Sequence, residues 1–118
     1  MNIIHTQKAP AAIGPYSQGY AVNNLVFTSG QIPVDPATGA IPEGIAAQCA
    51  QSCKNVAAIL EAAGVSMDKV FKTTCFLADM DDFAAFNEVY AQYFVSKPAR
   101  SCVAVKTLPK GVLCEIEA

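Results

Sequence analysis

The fold this sequence predicts is α+β: a two-layer sandwich in which a mixed sheet carries both helices on one face. Two observations lead there. Segments of strand and helix character alternate as β-β-β-α-β-α-β-β, and 118 residues suffice for one core-bearing domain, taken as 1–118. A third observation concerns what such a fold must hide. Hydrophobic residues make up 53% of the chain and charged residues 15%, against about a quarter in ordinary globular domains. With so little charge to solvate it, the free sheet face is expected to be covered by further copies of the chain.

The elements follow in order. "QGYAVNNLVFTSGQI" reads as a hairpin, two β-prone runs joined at Asn23-Asn24, residues that tolerate the positive φ of a tight turn. "VDPATGAIP" has turn chemistry, Asp-Pro opening it and Gly39 closing it, with a short strand expected around Ile41. From about Gly44 to Ala63 the period changes: Ile45, Cys49, Cys53, Val56, Leu60 and Ala63 recur at threes and fours, the apolar stripe of an amphipathic helix. Gly64 supplies its C-terminal stop.

"KVFKTTCFLADM" is β-branched and aromatic, a strand from about Val70 to Leu77. Asp79, Asp81 and Asp82 lead into a second helix whose N-terminal end suits their charge. Its buried face is Phe83, Phe86, Tyr90 and Phe94. Pro98 breaks that pattern, and two strands follow, roughly Ser101 to Lys106 and Val112 to Ala118, with "LPKG" as the turn between them.

Several function classes are disfavoured. The N-terminal "MNIIHTQKAPAAIGPYSQ" has no sustained apolar region, so no signal peptide is expected, and no run is long enough for a membrane span. Five cysteines without secretory context suggest reduced thiols and a cytoplasmic location. A net charge of -2, with basic residues spread along the chain, argues against a dedicated nucleic-acid binder. Cys49 and Cys53 stand one helical turn apart, but His5 is the only histidine and core packing is the better reading, so no metal is expected. His5 also lacks an evident acid, which disfavours a Cys-His or Ser-His nucleophile.

Arg100 is the chain's only arginine, set in "KPARSCVAVK" between a proline and a β-type run. A solvated surface arginine is the commoner fate by about three to one. The proline-fixed backbone would equally hold a planar fork in place for a carboxylate. Glu115 and Glu117 share one parity of the last strand and Cys114 and Ile116 the other, so one face of it is acidic, wet or otherwise. Asn87 on the second helix faces solvent or reaches a helix–sheet pocket. Tyr16 is presented by the "GPYSQ" loop, and "TSGQ", with Ser29 and Gly30, is either a plain turn or the rim of a pocket.

Taken together the blocks "AIGPYSQGYAVNNLVFTSGQIPVDPATG", "NVAAILEAAG", "KTTCFLADMDDFAAFNEVYAQYF", "PARSCVAV" and "LPKGVLCEIEA" resemble the RidA family of enamine/imine deaminases, almost end to end. The resemblance implies a chorismate-mutase-like sandwich assembled as a homotrimer with intersubunit active sites. It implies hydrolysis of small 2-imino acids (2-iminobutanoate, 2-iminopropanoate) to 2-keto acids and ammonia, a metabolite-damage control activity. Arg100 would grip the substrate carboxylate and Glu115 would position the attacking water. Tyr16, Ser29, Gly30, Asn87 and the Cys102 carbonyl would line the cleft. No cofactor is implied, since a protonated imine is already electrophilic. The chain departs from the family in stopping soon after "EIEA", which is expected to leave Glu115 on a short strand, and in a compact "VSK" before "PAR". The alternatives are a carboxylate-binding or stress-protective protein of the same fold and, more distantly, an RNA-cleaving enzyme using Lys97, Arg100, Lys106 and Lys110. A low thiol pKa for Cys102 beside Arg100 is a further option, against a packed strand residue.

Overall fold

The hairpin builds the first half of the sheet. In the computed structural model, which describes residues 2–118, β1 (Asn2–Ile4), β2 (Gly19–Val22) and β3 (Leu25–Thr28) form an antiparallel meander. Val22 pairs with Leu25 across the Asn23-Asn24 turn, and Asn23 adopts φ 54°, a left-handed conformation that asparagine accepts at little cost.

The strand expected around Ile41 is absent, and the third strand ahead of the first helix is β1 instead. Pro33, Pro36 and Pro42 remove donors from this stretch, and helix side chains take its carbonyls. Asn55 Nδ2 donates to Ile32 and Val34 at 3.1 and 3.0 Å, and Gln48 Nε2 donates to Pro42 at 3.0 Å. The Asp-Pro turn forms as expected, with Gly39 donating back to the Asp35 carbonyl.

Helix α1 (Ile45–Ala62) ends in a Schellman motif: Gly64, at φ 78°, donates to Glu61, and Val65 donates to Leu60. Its buried side keeps Cys49, Cys53, Val56 and Leu60 of the predicted stripe. Ile45 and Ala63 are only half-buried, while Ile59 is fully buried against Ile4 and Ala9, and the polar Gln48, Ser52 and Asn55 are buried as well. Strand β4 (Lys72–Leu77) leads through a 3-10 turn, capped by Asp79 Oδ1, which accepts from the Asp81 N–H at 2.8 Å, into α2 (Phe83–Tyr93).

Strand β5 (Ala99–Ala104) lies parallel to β4, as a crossover through a helix requires. It begins two residues earlier than predicted because Ala99 N–H already bonds the Phe71 carbonyl. Strand β6 (Cys114–Glu117) runs antiparallel on the other side of β4 and is shorter than predicted, following a tight turn in which Gly111 N–H donates to the Leu108 carbonyl and Lys110 is left-handed at φ 56°.

Two contacts join the halves. Gln31 and Ile116 exchange main-chain hydrogen bonds of 2.7 and 3.2 Å, and Thr28 N–H donates to the Ala118 carbonyl at 2.8 Å. The strands therefore run β1-β2-β3-β6-β4-β5. Between these contacts the Thr28–Gln31 side carries one residue more than the Ile116–Ala118 side, so Ser29 and Gly30 occupy a bulge.

Cys49, Cys53, Val56 and Leu60 of α1 and Phe86, Tyr90 and Phe94 of the second helical segment pack on Cys75, Leu77, Cys114 and Ile116. Both helices thus cover one sheet face. None of the cysteines is in a disulfide. On the opposite parity Ile3, Tyr20, Leu25, Phe27 and Val103 are exposed, which leaves that sheet face apolar and uncovered within one chain. Among the described residues no helix is long and apolar enough to cross a membrane.

Candidate active site

Paired residues on neighbouring strands send their side chains to the same side of the sheet. Arg100 pairs with Thr73 and Cys102 with Cys75, both buried under the helices, so Arg100 and Cys102 lie on the helix side. Glu115 pairs with Phe76 and Glu117 with Thr74, on the uncovered side. The sequence-predicted residues therefore fall into two groups on opposite faces of one chain's sheet.

The first group is built on α2. Phe83, Asn87 and Tyr90 follow one another at four and three residues, one face of the helix. That face lies over the Arg100 guanidinium. Its Nη1 donates to Asn87 Oδ1 at 2.8 Å, and its central carbon stands 4.7 Å from the Tyr90 ring centroid and 5.5 Å from that of Phe83. Asn87 is thus neither free in solvent nor simply a pocket wall: its amide is the side-chain partner that Arg100 has among the described residues. A neutral amide leaves the guanidinium charge uncompensated.

Cys102, two residues on, is half-buried against the core, and burial pushes its thiol up although Arg100 pulls the other way. The low thiol pKa is thus not what the structure gives. Desolvation outweighs the neighbouring charge, and Cys102 is a packed strand residue.

The second group sits at the bulge. The Glu115 carboxylate lies directly over Gly30, where an added Cβ would come within 1.9 Å of Oε2. Only a residue without a side chain leaves it that space. Ser29 is fixed beside it, its N–H donating to the Gln18 carbonyl at 2.8 Å and its hydroxyl to that of Ser17. Tyr16 is half exposed on its loop and shares a shallow depression of about 350 Å³ with Ser29, Tyr20 and Phe27. Burial pushes the Glu115 carboxyl above its ordinary range, and the neighbouring Glu117 charge adds to the effect. A carboxylate so raised is a better proton acceptor than an exposed one.

A larger groove of about 570 Å³ opens between β3 and β4 beyond Ala118, over Leu60, Val65 and Val70, but neither Arg100 nor Glu115 lines it. Its lining is mainly apolar, with Lys69 and Lys72 among the residues around it. Sequence reasoning missed Phe83 and Tyr90 as neighbours of Arg100. The available signal was an amide set within an aromatic stripe.

The chain is similar to known proteins over nearly its whole length. The family described as Endoribonuclease L-PSP matches residues 6–118. A RutC family protein of Haemophilus influenzae is 56% identical over 98% of this chain and 93% of its own length. Proteins named 2-iminobutanoate/2-iminopropanoate deaminase from Salmonella typhimurium strain LT2 and Escherichia coli strain K12 are 54% and 53% identical over the same shares. Among solved structures, E. coli TdcF with bound serine superposes with a TM-score of 0.97 at 52% identity, covering 100% of this chain and 96% of that one. Likeness of this extent, in sequence and in backbone alike, makes the chain a member of the Endoribonuclease L-PSP family, the YjgF/RidA proteins.

Proposed function

We propose that the protein is a 2-iminobutanoate/2-iminopropanoate deaminase, hydrolysing reactive imines to 2-keto acids and ammonia. The observation that carries the reading is Arg100, a guanidinium held by an amide and two rings with its charge unmet. The names of the deaminase relatives and the serine bound to TdcF supply the class of ligand, a small carboxylate with nitrogen on its second carbon.

Arg100 takes the substrate carboxylate through its free donors, which fixes the imine carbon. Glu115 accepts a proton from water as the water oxygen bonds to that carbon. The C=N electron pair moves to nitrogen, the tetrahedral adduct expels ammonia, and the carbonyl forms. Protonation of the leaving nitrogen completes the balance. Tyr16, Ser29 and Gly30 wall the Glu115 side, and Cys102 contributes its carbonyl near Arg100.

Arg100 and Glu115 leave opposite faces of one chain's sheet, two strands apart, so a site holding both needs two copies. Their meeting is consistent with the uncovered apolar face becoming a subunit interface, and a homotrimer is the assembly that the resemblance to RidA proteins implies. RNA cleavage gains less support. His5 is exposed beside the β1 edge of the sheet, whereas Arg100 lies at the β5 edge, so no acid–base pair is assembled around a phosphate in one chain.

The test generates 2-iminopropanoate and 2-iminobutanoate in situ, traps surviving imine with semicarbazide, and measures subunit number by light scattering. Wild type should lower trapping and Arg100→Ala should not, a loss of about 2–5 kcal/mol of substrate interaction. Trapping unchanged by a folded wild-type oligomer would refute the activity.

A further inference from the structure

Arginine on a strand edge has many rotamers, and a clamp that must orient its substrate cannot use most of them. Here the choice is made by one helix face. Tyr90 and Phe83 place their rings at 4.7 and 5.5 Å from the guanidinium carbon, and Asn87 receives Nη1 at 2.8 Å. A ring meets a guanidinium through its quadrupole, consuming no N–H, while the amide consumes one. The remaining donors stay available for an incoming carboxylate. The rings fix the plane of the fork and the amide fixes its rotation within that plane.

The bed is itself anchored. The Tyr90 hydroxyl shares a 2.7 Å hydrogen bond with Thr73 Oγ1, and Thr73 is the residue paired with Arg100 across β4 and β5. The Tyr90 ring stacks on Phe94 at 4.5 Å and on Phe86 at 5.8 Å. Bed and arginine thus spring from adjacent points, and the Thr73 bond ties the Tyr90 ring to the strand beside Arg100.

We infer that Tyr90 and Phe83 are positioning residues that preorganise Arg100 for a planar carboxylate. The inference rests on Arg100 being the substrate clamp and goes beyond it by assigning substrate affinity to side chains that never touch substrate. Preorganisation of this kind appears in KM and in the affinity for product-like carboxylates.

The experiment measures KM and kcat with 2-iminopropanoate, and the Kd of pyruvate by calorimetry, for Phe83→Leu, Tyr90→Leu and Tyr90→Phe. Each is made in wild type and in Arg100→Ala. Tyr90→Leu should raise KM and the pyruvate Kd about tenfold, and Phe83→Leu about threefold in the same direction. In both, kcat should fall less than KM rises. Tyr90→Phe keeps the ring face and should stay within about threefold of wild type. In the Arg100→Ala background the leucine variants should cause no further loss, because their effect runs through the missing guanidinium.

Leucine variants with wild-type KM, or with equal losses in both backgrounds, would overturn the inference. If Arg100→Ala itself binds pyruvate like wild type, the clamp reading fails first. If Arg100→Ala loses pyruvate while the ring variants keep it, only the positioning role fails. Phe83 is half-buried at the helix start and decides the matter should Tyr90→Leu not fold.

Discussion

Adding one methyl group at Gly30 should separate catalysis from folding. The Glu115 carboxylate occupies the space a Cβ would take: the distances from that Cβ would be 1.9 Å to Oε2, 2.9 Å to Cδ and 3.2 Å to Cγ. Moving Oε2 from 1.9 Å out to ordinary contact at 3.4 Å requires a retreat of about 1.5 Å. Gly30 is not among the glycines at positive φ, so alanine meets no backbone strain there. The clash is with the end of a flexible side chain, which can swing aside, so the fold should survive with a melting temperature close to wild type.

The chemistry should not survive as well. A displacement of about 1 Å at a reacting group costs roughly 100-fold, which is about 2.7 kcal/mol of transition-state stabilisation. Gly30→Ala should therefore lower kcat/KM for 2-iminopropanoate by about two orders of magnitude, with most of the loss in kcat. Semicarbazide trapping gives the rate and circular dichroism the melting curve. A folded variant with kcat/KM within about threefold of wild type would show that the resting place of Glu115 does not set its catalytic position.

Other perturbations read the same features differently. Burial raises the Glu115 pKa in the folded chain, so its contribution to stability is fully present below the ordinary carboxylate pKa and is lost as pH rises through the raised value. Glu115→Gln should thus melt above wild type at pH 7 and level with it near pH 4, while losing imine hydrolysis at both. Equal melting at pH 7 would deny the desolvation. At Gly19 a Cβ would sit 2.8 Å from Ile59 Cγ2 and 2.9 Å from the Phe27 carbonyl, which is backbone and cannot swing aside. Gly19→Ala should cost about 1–3 kcal/mol in urea unfolding, and an unchanged midpoint would refute that packing.

Local patterns made most of the architecture readable in advance. The stripe of α1, the Asn-Asn turn, Gly64 and the split parity of β6 each depend on neighbours in sequence, and each appears in the structure close to its expected place. The strand at Ile41 failed because its β-like residues lie among prolines, and only distant Asn55 and Gln48 decide where the carbonyls go. Gln31 bridging to Ile116, which makes one sheet of two, likewise joins residues far apart in sequence.

The arginine strand shows best why site geometry lay beyond a local reading. In β5 the ordinary rule of apolar in and polar out would turn Val103 toward the helices and Arg100 toward solvent. The register with β4 does the reverse: Arg100 and Cys102 lie under α2, while Val103 stands 47% exposed on the other face with Tyr20 and Phe27. Each half of that inversion has a compensation. Arg100 tolerates the helix side because Asn87, Phe83 and Tyr90 meet it with an acceptor and two ring faces. Val103 stands on an open apolar face, and in the proposed assembly a second copy of the chain covers it with the contact that carries a Glu115 toward Arg100. On the proposed reading the inverted strand serves a site shared between subunits. Val103→Lys should accordingly shift the oligomer toward monomers and abolish imine hydrolysis together, whereas monomers that still hydrolyse imine would show that one chain assembles the site alone.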